Sequence, residues 1–405
     1  MRSMTSRVVA GWLAAVLALA ALLPSGMALA VTGSPLDAEF YGLQWNMRAI
    51  HADAVFSSGA EAAADAVDGD RRILVAIVDT GIDYEHPDLA GLVDLELSKR
   101  VDFPETCEGE PGVPYVPIPD FERNVFDETA ERPRGKEPFM DFHSHGTAIA
   151  GLVVSNALHL AGVTQRTTLI SVKAHGMSRT NCLSAYLDAI TYAAQQKADV
   201  IHLSIPLEFN MNQFPDAKRR VDEVLSYAHE QGAVLVAAAG NVPTGGIDLD
   251  ADPAQFRFCE GKHVICVSAT GTPFADLKQA PEWDRIAAYS NFGTDIDVAG
   301  PGGTAAVPVT LTCSTNTRFA GAPQAPCRPP VSGKTWTSTG TSFGAGATSG
   351  LAALLFRVSG SDEPTRIGKI IERTADDVDV PGDDLKSGAG RINVEKAVDY
   401  ALAHP

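Results

Sequence analysis

The sequence predicts an α/β protein with a mostly parallel central sheet and helices on both faces. Short apolar runs rich in Val and Ile, typical of strands buried on both faces, occur at Ile73–Val78, Leu169–Ala174, Val200–Ser204, Val234–Ala238 and Val264–Ser268. Between them, Ser184–Gln196 and Asp216–Gln231 have the apolar spacing of helices, and Gly232 follows the second as a terminator. Because strands and helices alternate, we expect the strands to lie parallel in one sheet covered on both sides.

Residues 1–30 have the composition of a signal peptide. Arg2 and Arg7 begin it, Val8–Leu23 is almost entirely apolar, and Ala28–Ala30 matches a small-x-small cleavage site. An uncleaved membrane anchor is the alternative, since the apolar run is slightly long for a signal. Cleavage after Ala30 is favoured, and no later segment is apolar enough to span a bilayer. We therefore expect a protein secreted to the periplasm or the cell exterior, without membrane association after cleavage.

The rest of the chain is interpreted as a lead-in segment at 31–70 and one domain at 71–405. Residues 101–138 are rich in Pro and charges, and residues 304–334 are rich in Pro, Gly, Ser and Thr. Both interrupt the alternation and are predicted to be surface insertions. The loop Gly245–Asp252 clusters acids, and a solvated loop is favoured there over a calcium site.

The net charge and the cysteine content indicate which partners and which compartment suit this protein. Residues 1–30 contain two Arg and no acids, so the exported part has a net charge of about −20. This argues against nucleic acid or an anionic membrane as partner. All six Cys lie in the exported part and suit an oxidising compartment. Local disulfide pairing is the interpretation, with reduced buried thiols as the alternative, and it would give the pairs Cys259–Cys266, Cys313–Cys327 and Cys107–Cys182.

Polar side chains follow two of the predicted strands. Asp79 ends the run from Ile73, and Asn241 follows the run that ends near Ala238. In such sheets, ligands bind outside the carboxyl ends of the strands. A buried carboxylate needs a partner, and an amide can donate a hydrogen bond to a developing negative oxygen. Ordinary turn residues are the alternative for both.

Two more candidates lie where small residues begin tightly packed helices. His145 lies in DFHSHGTAIAG, and Ser342 lies in STGTSFGAG at a loop-to-helix turn. Ser342 alone would pass for a helix cap, and His143 with His145 would suggest a metal pair only if a third ligand were evident. Taken with the two strand-end residues, they supply the nucleophile, base, orienting carboxylate and oxyanion donor that acyl transfer needs.

These motifs resemble the subtilisin family of serine peptidases (subtilases, peptidase family S8) and follow its Asp-His-Ser order. The similar segments are VAIVDTGIDYEHPDL from Val75, HSHGTAIAGLV from His143, VLVAAAGN from Val234, YSNFGTDIDVAGPG from Tyr289, GTSFGAGATSG from Gly340 and SGAGRINVEKAV from Ser387. The resemblance implies a subtilisin-like three-layer fold and a secreted serine endopeptidase that acts on peptide or protein substrates as a monomer. It implies no cofactor for the chemistry, and it leaves structural calcium open without assigned ligands.

By this resemblance Ser342 attacks the substrate, His145 acts as general base and then acid, and Asp79 orients His145. Asn241 and the backbone amide of Ser342 would stabilise the oxyanion. Substrate binding is expected at Ser204, Pro206, Ala238 and Gly240.

The chain departs from the family pattern in three places. Asp37–Ala54 already resembles the start of a mature catalytic chain, so a prodomain is not evident. Pro206 and Leu207 replace the glycines of the family's Ser-x-Gly-Gly substrate edge, and Pro206 has no N–H to donate. Phe343 and Gly346 replace a Met and a Pro. Pro206 and the missing prodomain motivate an alternative, a catalytically weak subtilase-like scaffold that binds a peptide or protein. A periplasmic ligand-binding protein would leave the motifs unexplained.

Overall fold

The computed structural model describes residues 34–61, 71–101, 115–117, 136–174, 180–205, 207–272, 283–316 and 335–405. The predicted signal peptide at 1–30, Pro206, most of the segment 101–138 and residues 317–334 lie outside the described residues.

The described chain contains fourteen strands. They are β1 (Ile73–Asp79), β2 (Lys99–Arg100), β3 (Tyr115–Pro117), β4 (Thr167–Lys173), β5 (Thr180–Cys182), β6 (Val200–Leu203), β7 (Glu208–Asn210), β8 (Val234–Ala238), β9 (Gln255–Arg257), β10 (Val264–Gly271), β11 (Arg285–Ile286), β12 (Val298–Pro301), β13 (Val309–Thr312) and β14 (Thr335–Ser338).

Eight α-helices lie in the same residues. They are α1 (Trp45–Ala49), α2 (Ala52–Ser58), α3 (His145–Val153), α4 (Leu183–Gln195), α5 (Pro215–Glu230), α6 (Thr341–Ser359), α7 (Pro364–Arg373) and α8 (Val394–Ala403). Short 3₁₀ turns occupy Pro35–Asp37, Tyr41–Leu43, Leu249–Ala251 and Phe258–Glu260. In the described part of the chain, no helix combines the length and the apolar character that crossing a membrane requires.

The central sheet has eight strands in the order β11-β10-β8-β6-β1-β4-β2, with β12 also paired to β10. All of its pairings are parallel except that of β10 with β11. The predicted mostly parallel sheet is confirmed. β8 has the predicted limits, while β1, β4, β6 and β10 differ from the prediction only at their ends. The predicted helices correspond to α4 and α5, and Gly232 follows α5 with a φ of 102°, a conformation that favours glycine.

Two apolar cores lie on opposite faces of the sheet. One contains α4 and α5, and the other contains α1 to α3 and α6 to α8. Neighbouring side chains of a strand point to opposite faces, so Val200 of β6 enters the second core while Ile201 and Leu203 enter the first. The three layers of the α/β fold are therefore helices, sheet and helices.

Strand β1 lies where the order of the sheet reverses. From β1 the chain passes first to β2 and then to β4 on one side, and later to β6 on the other. The segments that leave these strands diverge at the carboxyl end of β1, which is where open α/β sheets bind ligands. Asp79 is the last residue of β1.

Residues 309–314, within the segment predicted as a surface insertion at 304–334, are buried. β13 pairs antiparallel with β14, and Val309 and Leu311 lie in the core. A Cβ on Gly151 of α3 would lie 2.2 Å from Oγ1 of Thr312, so helix and strand are in close contact. The composition of this segment conceals β13, because Thr and Ser are as compatible with a short strand as with a loop.

The structure joins Cys259 to Cys266 in a disulfide. Cys182 and Cys313 are also disulfide-bonded, and the described residues contain no free cysteine. Cys107 and Cys327 lie outside the described residues, so the other two predicted pairings stay predictions.

Candidate active site

Asp79 and His145 meet at the carboxyl end of β1. The Asp79 carboxylate is 0% exposed, and each of its oxygens lies 2.8 Å from Nδ1 of His145. The backbone N–H of Thr80 donates to Oδ1 of Asp79 at 2.7 Å. An ionised carboxylate can only accept a hydrogen bond, so Nδ1 of His145 carries the proton and donates, and Nε2 carries the lone pair. Nε2 is therefore able to take a proton from a hydroxyl.

The charges around His145 adjust its affinity for protons. Burial alone would lower the pKa of His145, but the charge and the hydrogen bond of Asp79, with the charge of Asp141, raise it above its ordinary value. His143 differs, because burial outweighs the charge of Asp141 and lowers its pKa. The two imidazole centroids are 6.4 Å apart. Of the two histidines, His145 is the one poised to accept a proton.

Gly146, the second residue of α3, lets the start of this helix approach the end of β1 closely because it has no side chain. A Cβ on Gly146 would lie 2.1 Å from the carbonyl oxygen of Gly81 and 3.2 Å from Oδ1 of Asp79. The N–H of Gly146 donates to Oγ1 of Thr80 at 2.9 Å. Strand end and helix start thus pack backbone against backbone, which brings the imidazole to the carboxylate.

The buried carboxylate of Asp141 organises the loop before α3, a role that the sequence analysis missed. Its two oxygens accept five hydrogen bonds of 2.6–3.0 Å, from the N–H groups of His143, Ser144 and Thr147 and the hydroxyls of Thr80 and Thr147. This carboxylate therefore fastens the loop that carries His145 to the end of β1. The available signal was an acid four residues before a histidine in a segment of small residues.

Ser342 lies in the first turn of α6. Every residue of α6 except Ser342 and Ser359 is buried, so the hydroxyl lies at the accessible start of an otherwise buried helix. The ring of Phe343 lies 5.9 Å from that of His145 and 6.3 Å from that of Trp336, between centroids. Phe343 therefore packs the first turn of α6 beside His145.

The contacts of the described residues include no hydrogen bond between Ser342 and His145. In the absence of substrate, catalytic hydrogen bonds are often long or poorly aligned, and they tighten when substrate binds.

Thr341 orients the side-chain amide of Asn241. The N–H of Thr341 donates to Oδ1 of Asn241 at 2.9 Å, and its hydroxyl lies 3.1 Å from the same oxygen. A backbone N–H can only donate, so the amide oxygen faces Thr341 and Nδ2 remains to donate elsewhere. Gly240, with a φ of 94°, makes the turn from β8 to Asn241. This turn places an amide donor next to the turn that carries Ser342.

The residues predicted to bind substrate lie at the carboxyl ends of two paired strands. Ser204 follows β6, while Ala238 and Gly240 lie at and after the end of β8, and all three are half-buried. Pro206 lies outside the described residues. Leu207 is 1% exposed and packs in the core that contains α4 and α5, so it fills core space rather than the substrate edge.

Two carboxylates of the acidic loop Gly245–Asp252 accept hydrogen bonds from nearby groups. Asp248 accepts from the N–H of Asp250, and Asp250 accepts from the N–H and hydroxyl of Thr294. Local donors therefore engage these carboxylates, as in a solvated acidic loop. Across the described ranges, no group of three or more His, Cys, Asp or Glu is arranged to hold a metal ion.

Two proteins of known activity resemble this chain in sequence. It is 30% identical over 370 residues to the thermophilic serine proteinase of Bacillus sp. (strain AK1), covering 91% of this chain and 70% of that protein. It is 28% identical over 329 residues to thermitase of Thermoactinomyces vulgaris, covering 80% and 88% of the two chains.

Solved structures agree on the fold. The epidermin leader peptide processing serine protease of Staphylococcus aureus matches 91% of this chain and 83% of its own, with a TM-score of 0.65 and 20% identity. Residues 70–390 match the Subtilase family, Peptidase S8. This match spans most of the sequence, and the chain therefore belongs to the subtilase family of serine endopeptidases, whose catalytic residues form an Asp-His-Ser triad.

Proposed function

We propose that this chain is a secreted endopeptidase that hydrolyses peptide bonds through an acyl-enzyme, with Asp79, His145 and Ser342 as its triad. The observation that carries the proposal is the buried hydrogen bond between Asp79 and His145, beside the first turn of α6. Residues of one chain supply every catalytic group, so a monomer suffices.

The reaction follows from the direction of each hydrogen bond. Oγ of Ser342 attacks the carbonyl carbon of the peptide bond while Nε2 of His145 takes the hydroxyl proton. His145 then gives this proton to the leaving amine, which leaves the acyl group on Ser342, and a water molecule repeats the sequence to release the acid. Asp79 stabilises the imidazolium that forms in both halves.

The negative oxygen of each tetrahedral intermediate needs donors that are already in place. Nδ2 of Asn241 and the backbone N–H of Ser342 are proposed to supply them, since Thr341 fixes the Asn241 amide from its other side. Ser204, Pro206, Ala238 and Gly240 are proposed to contact the substrate backbone as an added strand. The side chains present supply proton transfer and charge stabilisation, so no cofactor is proposed for the chemistry. Structural calcium stays a proposal without assigned ligands.

Export is proposed from the composition of residues 1–30. The Cys259–Cys266 disulfide supports it, because disulfides persist in oxidising compartments.

The proposal is tested by the intact mass of folded protein after treatment with a fluorophosphonate, beside the Ser342→Ala variant. One adduct on the wild type and none on the variant would support an activated Ser342. No adduct on well-folded wild type would contradict the proposal and favour the catalytically weak binding scaffold.

Asn241→Asp is expected to lower kcat about 10²–10³-fold, the usual cost of losing one oxyanion donor. The new carboxylate keeps an oxygen for Thr341 but replaces the Nδ2 donor with a second oxygen. KM should change little, because the negative oxygen exists only along the reaction path. Steady-state kinetics on a peptide amide would measure both constants, with the exposed Asn212→Asp as control for the added charge. A loss of kcat below about tenfold would show that Asn241 is not the donor.

The acid limb of kcat/KM is expected above the ordinary histidine pKa of about 6.5. His145 must be neutral to act as base, and its pKa is raised by Asp79, so activity should fall as the pH drops through that raised value. In Asp79→Asn the limb should move to lower pH, since the charge that raises the pKa is gone. A pH series of kcat/KM at constant ionic strength checks both. A limb unmoved by Asp79→Asn would assign it to another group.

A further inference from the structure

His202 is a buried histidine in the central sheet that the proposed triad does not use. It lies in β6, pairs with Ile77 of β1 and Val236 of β8, and is 0% exposed. Both neighbours belong to the apolar core that contains α6. An imidazole buried among apolar side chains cannot form hydrogen bonds to water, so both of its ring nitrogens need partners in the protein.

His202 contacts two serines on different elements, and it also makes a hydrogen bond to the backbone of Ala345 in α6. Nδ1 is 3.0 Å from Oγ of Ser349, in α6, and Nε2 is 2.8 Å from Oγ of Ser204, directly after β6. The Ser349 hydroxyl donates to the carbonyl oxygen of Ala345 at 2.9 Å, so it accepts from Nδ1–H. The lone pair of the ring is then at Nε2, and the Ser204 hydroxyl must donate to it.

The neutral form of His202 determines the direction of its hydrogen bonds to Ser349 and Ser204. Burial lowers the pKa of His202 to about 4, with a further lowering by the charge of His145 and against the charge of Asp79 and the hydrogen bond to the Ala345 backbone. Only the neutral ring has one donor and one acceptor, which is what these two serines require. At neutral pH the Ser204 hydroxyl therefore donates its proton to Nε2 of His202. Through His202, the end of β6 is linked by hydrogen bonds to α6.

We propose that His202 is a positioning residue that holds the substrate edge at Ser204 in register with α6, the helix that begins with the turn of Ser342. The inference rests on the proposed function, in which Ser204 contacts substrate. His202 makes no hydrogen bond to Asp79, His145 or Ser342, so it acts on the placement of the substrate rather than on the activation of the nucleophile.

The central experiment compares wild type with His202→Leu, which has a similar size but no polar atom. KM for a peptide amide that extends several residues on the acyl side is expected to rise about tenfold, as for the loss of one net hydrogen bond. The rate of fluorophosphonate labelling at Ser342 is expected to stay within about twofold. His202→Gln, whose amide oxygen can accept from Ser204, should recover part of the loss in KM.

Two further variants separate positioning from general stability. Ser204→Ala should reproduce the rise in KM, and the double variant His202→Leu/Ser204→Ala should add little, since both changes remove one contact. Val200→Ala, on the same face of β6, removes packing without a hydrogen bond and should lower Tm while leaving KM unchanged.

Three results would overturn the inference, and a fourth would overturn the proposed function on which it rests. An unchanged KM in His202→Leu, or effects of His202→Leu and Ser204→Ala that simply add, would overturn it. If His202→Leu does not fold, unchanged KM values in both Ser204→Ala and His202→Gln would overturn it. Wild type that takes up no fluorophosphonate and does not turn over the peptide amide would overturn the proposed function itself.

Discussion

Replacing Asp79 by Asn is expected to lower kcat by about 10⁴-fold while the fold stays intact. The N–H of Thr80 donates to Oδ1 of Asp79, so it will hold the amide oxygen at that position. The N–H₂ group then occupies the Oδ2 position and faces Nδ1 of His145. This N–H₂ group can donate to Nδ1 only in the tautomer whose ring proton is on Nε2, and that tautomer cannot take a proton from Ser342. The charge that stabilises the imidazolium is lost as well.

The measurement is kcat at saturating peptide amide, with circular dichroism to show that the variant is folded. Asp94→Asn is a matched control, because Asp94 also accepts backbone N–H groups but pairs with Arg72 on the surface. Its kcat should stay within about twofold of wild type. A loss below about 100-fold in Asp79→Asn would be incompatible with an orienting role for this carboxylate.

Replacing Asp141 by Asn is expected to lower the free energy of unfolding by about 2–4 kcal/mol. Asp141 is the acceptor in all five of its hydrogen bonds, three of which end on Oδ1 and two on Oδ2. Whichever oxygen becomes N–H₂ will oppose a buried backbone N–H, of Thr147 on one side or of His143 and Ser144 on the other. The loop before α3 must shift, and a displacement of about 1 Å at His145 would lower kcat roughly 100-fold.

Denaturant unfolding and kcat measure the two effects of Asp141→Asn separately. Asp250→Asn is the control, since Asp250 also bonds an N–H and a hydroxyl but is exposed at the surface. A loss of stability below about 1 kcal/mol with unchanged kcat would mean that the loop before α3 does not depend on this carboxylate.

The residues at strand ends could be predicted from the sequence for a physical reason. An apolar run of strand length that stops at a polar residue marks the edge of a buried parallel sheet, and such edges bind ligands. Asp79 and Asn241 both satisfy this pattern, and the structure brings Asp79 to His145 and Asn241 to the first turn of α6.

Other features of the site depend on contacts that no local pattern encodes. The role of Asp141 requires the turn at Ser144, where φ is 88°, to aim several N–H groups at one carboxylate. His202 is polar in an apolar run, but its partner Ser349 lies 147 residues later in the chain. Strand β13 is short and lies in a segment whose composition is typical of a loop. Each of these follows from tertiary packing and is seen only once the chain is folded.

Helix α6 is buried on nearly all sides. We therefore expect the activity to depend on the completion of folding. A helix without a solvated face gains little by forming alone and is stabilised by the elements around it. Helix α6 packs closely against β12, since a Cβ on Gly344 would lie 3.0 Å from the backbone of Gly300. A partly open chain that exposes α6 would have no aligned nucleophile. Peptidase activity is therefore expected to appear only once the cooperative transition that packs α6 against its neighbours is complete.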